Sequence, residues 1–175
     1  LNGGDAVGVA PDAEITMFRM GFDGAGSDAQ TLAALQQAVN VDVLNASWGY
    51  SEIFEDNKQD PASALLFSAI DDAATTGRDG LGTVIVFSAG NAGLSGDNVN
   101  HHSLQNAPET ITVGAVNQDG SISEFSSGGA ALLISAPGDS SYTTDIVGAG
   151  GYETGDYTSA FSGTSAAAPL VSGVV

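Results

Sequence analysis

The run Thr83–Gly90, TVIVFSAG, constrains the chain more than any other stretch. A half-exposed strand alternates apolar and polar residues, whereas Val84, Ile85, Val86 and Phe87 are apolar without a break. A run of this kind belongs to a strand buried on both faces, as inside a parallel sheet covered by helices. Its neighbours fit the same scheme. VDVLNA (Val41–Ala46) is a short buried strand, and ETITVGAV (Glu109–Val116) and ALLISAPG (Ala131–Gly138) add two more. EITMFRM (Glu14–Met20) also reads as a strand.

Helical patterns lie between these runs. From about Asp28 to Asn40, Leu32, Leu35, Ala38 and Val39 fall on one stripe. Pro61 opens PASALLFSAIDDAATT, with Asp60 as its N-cap and Gly77 at its end. A last helix is predicted to begin near Ser165, with Pro169 in its first turn, and to run past Val175. Gly138 to Ser159 is rich in Gly, Ser, Thr and Asp and reads as surface loop or a hairpin. Strands alternating with helices imply a three-layer α/β/α domain around a mainly parallel central sheet. At 175 residues and 42% hydrophobic content there is one core to bury, and with aromatics at 7% it must be filled by Val, Ile, Leu and Ala.

Charge removes some function classes. With 21 acidic against 3 basic residues the net charge is −18, so nucleic acid is not a partner, because phosphates need Lys and Arg. The acidity fits solubility in a salty or calcium-rich medium, ligation of a metal by a few carboxylates, or simple solvation of the surface, which is the commonest use of dispersed charge. No cysteine is present, so there is no disulfide framework and no thiolate metal site. No apolar stretch approaches the roughly 18 residues of a membrane span.

Three motifs carry chemistry. In GTSAAAP (Gly163–Pro169), Ser165 stands at the head of a helix, where its hydroxyl is exposed and its own N–H is available to a developing oxyanion. An ordinary Ser cap on an Ala-rich helix has the same appearance. SAGN (Ser88–Asn91) follows the most buried strand, at the sheet edge where ligands bind, and Asn91 can aim its NH₂ at a carbonyl oxygen or simply make a turn. NASWG (Asn45–Gly49) follows a second buried strand; its backbone can pair with an extended peptide, or it is a loop with one packed Trp.

Taken together and in order, GVAPDAEI, VLNASWG, VIVFSAGN and SGTSAAAPLVSGV resemble the blocks of the subtilisin-like serine proteases, the subtilase family, along essentially the whole chain. The resemblance implies a serine endopeptidase acting on polypeptides, with Ser165 as nucleophile and Asn91 and the Ser165 N–H as oxyanion donors. Ser47, Trp48 and Gly49 would form a wall of the substrate cleft, and Glu52, Ser88, Ala89 and Gly90 would also bind substrate. GRDGLGTVIVFSAGNAG is similar to the kexin and furin branch, whose pocket for a basic side chain is lined by acids, with calcium nearby. Glu52 and Asp97 fall on two of those acidic places, while His102 and Ser127 occupy two others. Half of the acidic set is thus replaced. A structural calcium with Asp97 as a ligand is implied by the resemblance alone, and the chemistry itself requires no cofactor. A propeptide partner and a secreted, extracellular setting through bacterial export are implied in the same way.

The family's Asp and His motifs, which precede the serine in the chain, are not found in these residues. A Gly-rich opening (LNGG) and an ending inside an apolar helix lead to the expectation of a carboxyl-side portion of a larger catalytic domain, inactive by itself. His101 and His102, on the far side of Asn91, read as a solvated loop pair and not as the base. The competing expectation is a catalytically inactive subtilase-fold module serving binding or structure in a larger acidic extracellular protein. An α/β-hydrolase esterase does not fit, because Ser165 lacks a G-x-S-x-G elbow.

Overall fold

The computed structural model describes residues 6–20 and 27–175. Four strands form one parallel sheet in chain order: β1 (Val43–Ala46), β2 (Val84–Ser88), β3 (Thr110–Val116) and β4 (Leu132–Pro137). Helices α1 (Ser27–Gln36) and α2 (Ala64–Gly80) cover one face, and α3 (Thr164–Ser172) covers the other. A two-stranded antiparallel ribbon, β5 (Ser141–Thr144) with β6 (Tyr157–Phe161), leads into α3. The hairpin expected between Gly138 and Ser159 is therefore present.

The apolar run behaves as its composition demands. Ile85 and Phe87 enter the cluster beneath α1 and α2, with Leu35, Phe67 and Ile70, while Val86 enters the cluster beneath α3, with Val113, Ala167 and Val171. Neighbouring residues point to opposite faces of a strand, so a strand covered on both faces must be apolar at every position. On α1 the expected stripe holds: Leu35 and Ala38 are buried, and Leu32 and Val39 pack against the same cluster. The regular helix stops at Gln36, and Ala38–Asn40 continue as a single 3₁₀ turn.

Four expectations change, the first being that α3 does not run past Val175 but ends at Ser172, with Gly173 as its C-cap. Residues 14–20 form no strand and lie largely exposed, Ile15 and Met17 among them. A strand exists through its ladder partner, and no described strand pairs with this segment. Helix α2 begins at Ala64 and not at Pro61; the Asp60 carboxylate accepts from the Ala62 N–H at 2.9 Å, closing a local turn ahead of the helix. At the other end Gly77 leaves helical geometry with ψ 158°, so the expected stop is where the helical backbone ends. Pro169 sits in the second turn of α3, because the helix starts at Thr164, and there its missing N–H does matter. The Gly-rich opening over residues 1–5 lies outside the described residues.

Candidate active site

Strands β1 and β2 end side by side, with Ala46 paired to Phe87. NASWG and SAGN therefore leave the sheet at the same carboxyl edge, where open α/β sheets hold their ligands. The first turn of α3 is fastened there by Thr164, which is completely buried. The Gly90 N–H donates to Thr164 Oγ1 at 3.1 Å. Thr164 in turn donates its backbone N–H (2.9 Å) and its hydroxyl (3.0 Å) to Asn91 Oδ1. A main-chain N–H can only donate, so the oxygen of the Asn91 amide faces Thr164 and Nδ2 is turned away from it.

A Cβ placed on Gly163 would lie 3.2 Å from Asn91 Nδ2 and 3.6 Å from the Ser165 nitrogen. The two nitrogens thus flank one small space, kept open because residue 163 has no side chain. Its φ of +130° is a conformation that glycine alone adopts readily. Gly90, at φ +100°, is under the same constraint: a Cβ there would come within 3.1 Å of Ser127 Oγ. Paired donors beside a hydroxyl are the arrangement that can stabilise an oxyanion.

The half-buried Ser165 donates its hydroxyl to the Ser47 carbonyl oxygen at 3.2 Å. Neither histidine is bonded to it. His101 packs its ring against Phe54 at 5.3 Å. His102, expected to be solvated, is instead 3% exposed, and its Nε2 bonds Asp97 Oδ1 at 2.8 Å. The loop closes over it because Val99 and Leu104 on either side are core residues with no exposure.

A cleft of about 300 Å³ opens between the two loops. Trp48, Gly49, Ser88, Ala89, Gly90, Asn91, Asp97 and Ser165 all line it, as do Thr164, His102 and Gln105, which sequence reasoning had not assigned to it. Trp48 serves both of its expected readings, lining the cleft while packing edge-on against Phe87 at 5.4 Å. Ser47 stands behind the wall, bonded to Ser165, and Glu52 is exposed and outside the lining. The only advance signal for His102 was its place on an expected acidic position.

Asp97 brings a carboxylate to the cleft lining. Partial burial works to raise its carboxyl, but hydrogen bonds from His102 and Ser127, followed by the influence of the imidazole and of the Asn98 amide, outweigh burial and hold it below the usual carboxylate range. Ser127 Oγ donates to Oδ2 at 2.7 Å and His102 to Oδ1 at 2.8 Å. Since a carboxylate only accepts, His102 carries its proton on Nε2, leaving Nδ1 buried without a partner; Gln105 Oε1 is in the same condition. This set does not fit the calcium that the resemblance implies. Each Asp97 oxygen faces a hydrogen-bond donor, where a cation needs bare oxygens, and among the described residues no three acidic or imidazole groups gather around a common point.

The peptidase S8 model, the subtilase family, matches residues 1–175. The chain belongs to the subtilase family. It is 33% identical to human proprotein convertase subtilisin/kexin type 4 over 99% of its own length and 31% identical to kexin of Saccharomyces cerevisiae over 96%. It spans only 23% and 20% of those two relatives. Its fold is that of the Aeromonas sobria serine protease, solved as a complex with a chaperone, at a TM-score of 0.83 and 22% identity, covering 95% of this chain and 35% of that one. Among the described residues of this subtilase, no helix is long and apolar enough to cross a membrane.

Proposed function

We propose that this subtilase chain carries the nucleophile and the oxyanion donors of a serine endopeptidase. The observation that supports it best is that Asn91 Nδ2 and the Ser165 nitrogen lie within 3.6 Å of one point beside Gly163, on a cleft that Asn91 and Ser165 both line. Ser165 Oγ attacks the carbonyl carbon of a peptide lying in the cleft, and its proton passes to a base outside the described residues. The carbonyl oxygen, now negative, takes the two N–H donors; the amine leaves with a proton, and water releases the acyl group from Ser165. The base must come from elsewhere, because Ser165 is bonded to a main-chain carbonyl and both histidines are engaged away from it.

The Asp97 carboxylate belongs to the cleft lining, whereas His102 Nδ1 and Gln105 Oε1 are sealed from solvent. A carboxylate on the lining of a cleft attracts a cationic side chain. The side chain seated there is therefore proposed to be Lys or Arg, with the net charge of −18 favouring approach of cationic segments. Asp97 is proposed to work without calcium. Action outside the cytosol and assistance by a propeptide or chaperone belong to the proposal as well, the latter supported by the chaperone bound to the Aeromonas relative.

Labelling with a serine-directed fluorophosphonate tests the central claim. In the protein as its gene encodes it, the adduct should map to Ser165 and disappear in Ser165→Ala. The 175-residue chain by itself should hydrolyse peptides no faster than its Ser165→Ala variant. An adduct elsewhere, or none in the encoded protein, would refute the nucleophile and favour the inactive binding module.

A further inference from the structure

We infer that Pro169 and Ser47 form a latch that fixes the backbone of Ser165 from outside helix α3. In a regular α-helix the carbonyl of residue 165 accepts from the N–H of residue 169, four places on. Residue 169 is a proline and has no N–H, so the helix leaves the Ser165 carbonyl without its partner. Ser47 Oγ takes that place, donating to the Ser165 carbonyl at 3.1 Å. The Ser165 hydroxyl answers by donating to the Ser47 carbonyl at 3.2 Å. Two residues 118 positions apart thus exchange a pair of hydrogen bonds, and proline makes the exchange available.

The latch extends along the helix. Asn45 Nδ2 donates to Ser47 Oγ at 2.9 Å, leaving the hydroxyl proton of Ser47 to point at Ser165. Asn45 Oδ1 accepts from Ser172 Oγ at 2.9 Å, at the far end of α3. The end of β1 therefore holds both the first turn and the last residue of the helix. The direction is set by the Ser165 carbonyl, which can only accept: Ser47 Oγ donates to it and so accepts from Asn45 Nδ2, which turns Asn45 Oδ1 to Ser172, whose hydroxyl is shared with the Ala168 carbonyl at 3.1 Å.

The two halves of the exchange have different roles. The bond from the Ser165 hydroxyl must break when that oxygen turns to react. The bond from Ser47 to the Ser165 carbonyl need not, because it involves main chain only at residue 165. Ser47 is thus a positioning residue: it keeps the Ser165 N–H, half of the proposed oxyanion pair, in register with Asn91 while the hydroxyl moves. In the sequence Pro169 reads as a tolerable first-turn proline, since only the fold brings residue 47 to the carbonyl that the proline releases.

A double-mutant cycle tests the latch apart from any catalysis. Ser47→Ala should lower the thermal midpoint by about 2–6 °C, the loss of the bond to the Ser165 carbonyl and of the more exposed bond from Asn45 in a domain of this size. In a Pro169→Ala background residue 169 regains its N–H and serves the Ser165 carbonyl, so Ser47→Ala should then cost about half as much or less. Ser47→Thr keeps the hydroxyl and should stay near the parent value in both backgrounds. If Ser47→Ala unfolds outright with proline present but folds in the Pro169→Ala background, the coupling is shown as well. Equal costs of Ser47→Ala in the two backgrounds would overturn the latch. Its effect on reactivity rests on the proposed chemistry and is read separately: fluorophosphonate should label Ser165 more slowly in Ser47→Ala, with Ser47→Thr restoring the rate. Coupling without labelling leaves the latch standing and sinks the nucleophile; labelling without coupling does the reverse.

Discussion

Replacing Thr164 by Val probes the fastening between α3 and Asn91, the proposed oxyanion donor, with almost no change of shape. Thr164 is completely buried, and its hydroxyl both accepts from the Gly90 N–H at 3.1 Å and donates to Asn91 Oδ1 at 3.0 Å. Valine fills the same volume but supplies neither bond. Asn91 Oδ1 keeps its second donor, the Thr164 N–H, so its loss is partial. The Gly90 N–H is left with nothing. A fully buried orphan donor costs about 1–3 kcal/mol; Gly90 is half-buried, so the lower part of that range applies, about 1–2 kcal/mol. For a chain of this length that is a fall of about 2–8 °C in thermal midpoint, followed by circular dichroism. Under the proposed chemistry, kcat should fall about tenfold with little change in KM, below the 10²–10³ known for outright removal of such a donor in subtilisin itself. Thr164→Ser gives up a buried methyl group and loses comparable stability, yet keeps the hydroxyl and should keep kcat. A Thr164→Val protein within about 1 °C of the parent, or a kcat equally reduced in the Ser variant, would refute the fastening.

Two further outcomes follow from the Asp97 carboxylate. The Asp97 carboxyl lies below its ordinary value of 3.8 in the folded protein, so its stabilisation is complete above about pH 4 and is lost as pH falls through the depressed value. Asp97→Asn should lower stability at pH 6 and flatten part of the acid-unfolding limb below pH 4. The exposed carboxyls of Asp119, Asp145 and Glu153, also held low by hydrogen bonds from nearby chain, keep the remainder. An unchanged acid limb would count against the Ser127–Asp97–His102 cluster. Calcium added in place of EGTA should leave the fluorescence of Trp48, the single tryptophan, unmoved, since that ring lines the cleft; a response abolished by Asp97→Asn would show a bound cation there after all.

Much of this molecule is local in origin and could be read from the chain. Val84 to Phe87 are apolar on both faces, so the strand could only be central, and Gly77 marked where its preceding helix must yield. Ser165, Asn91 and Trp48 were legible because each follows a strand or opens a helix at a position whose geometry is fixed by near neighbours. Residues 14–20 show the limit of such inference, since their composition suits a strand but a ladder needs a second chain segment beside it. His102 shows the same limit in reverse: its sequence neighbours are polar, yet Val99 and Leu104 draw it inside against Asp97.

What the sequence determined by itself is the layering, the sheet edge at which chemistry can occur, and the identity of the hydroxyl and amide brought to that edge. What the tertiary structure alone decided is who holds whom: Thr164 bridging Gly90 and Asn91, Ser47 serving the carbonyl that Pro169 releases, and Asp97 sealed between Ser127 and His102. The physical reason is range. Backbone propensity and apolar periodicity act over a few residues, whereas these bonds join groups up to 118 positions apart. Nothing short of the folded packing selects which unsatisfied donor meets which acceptor.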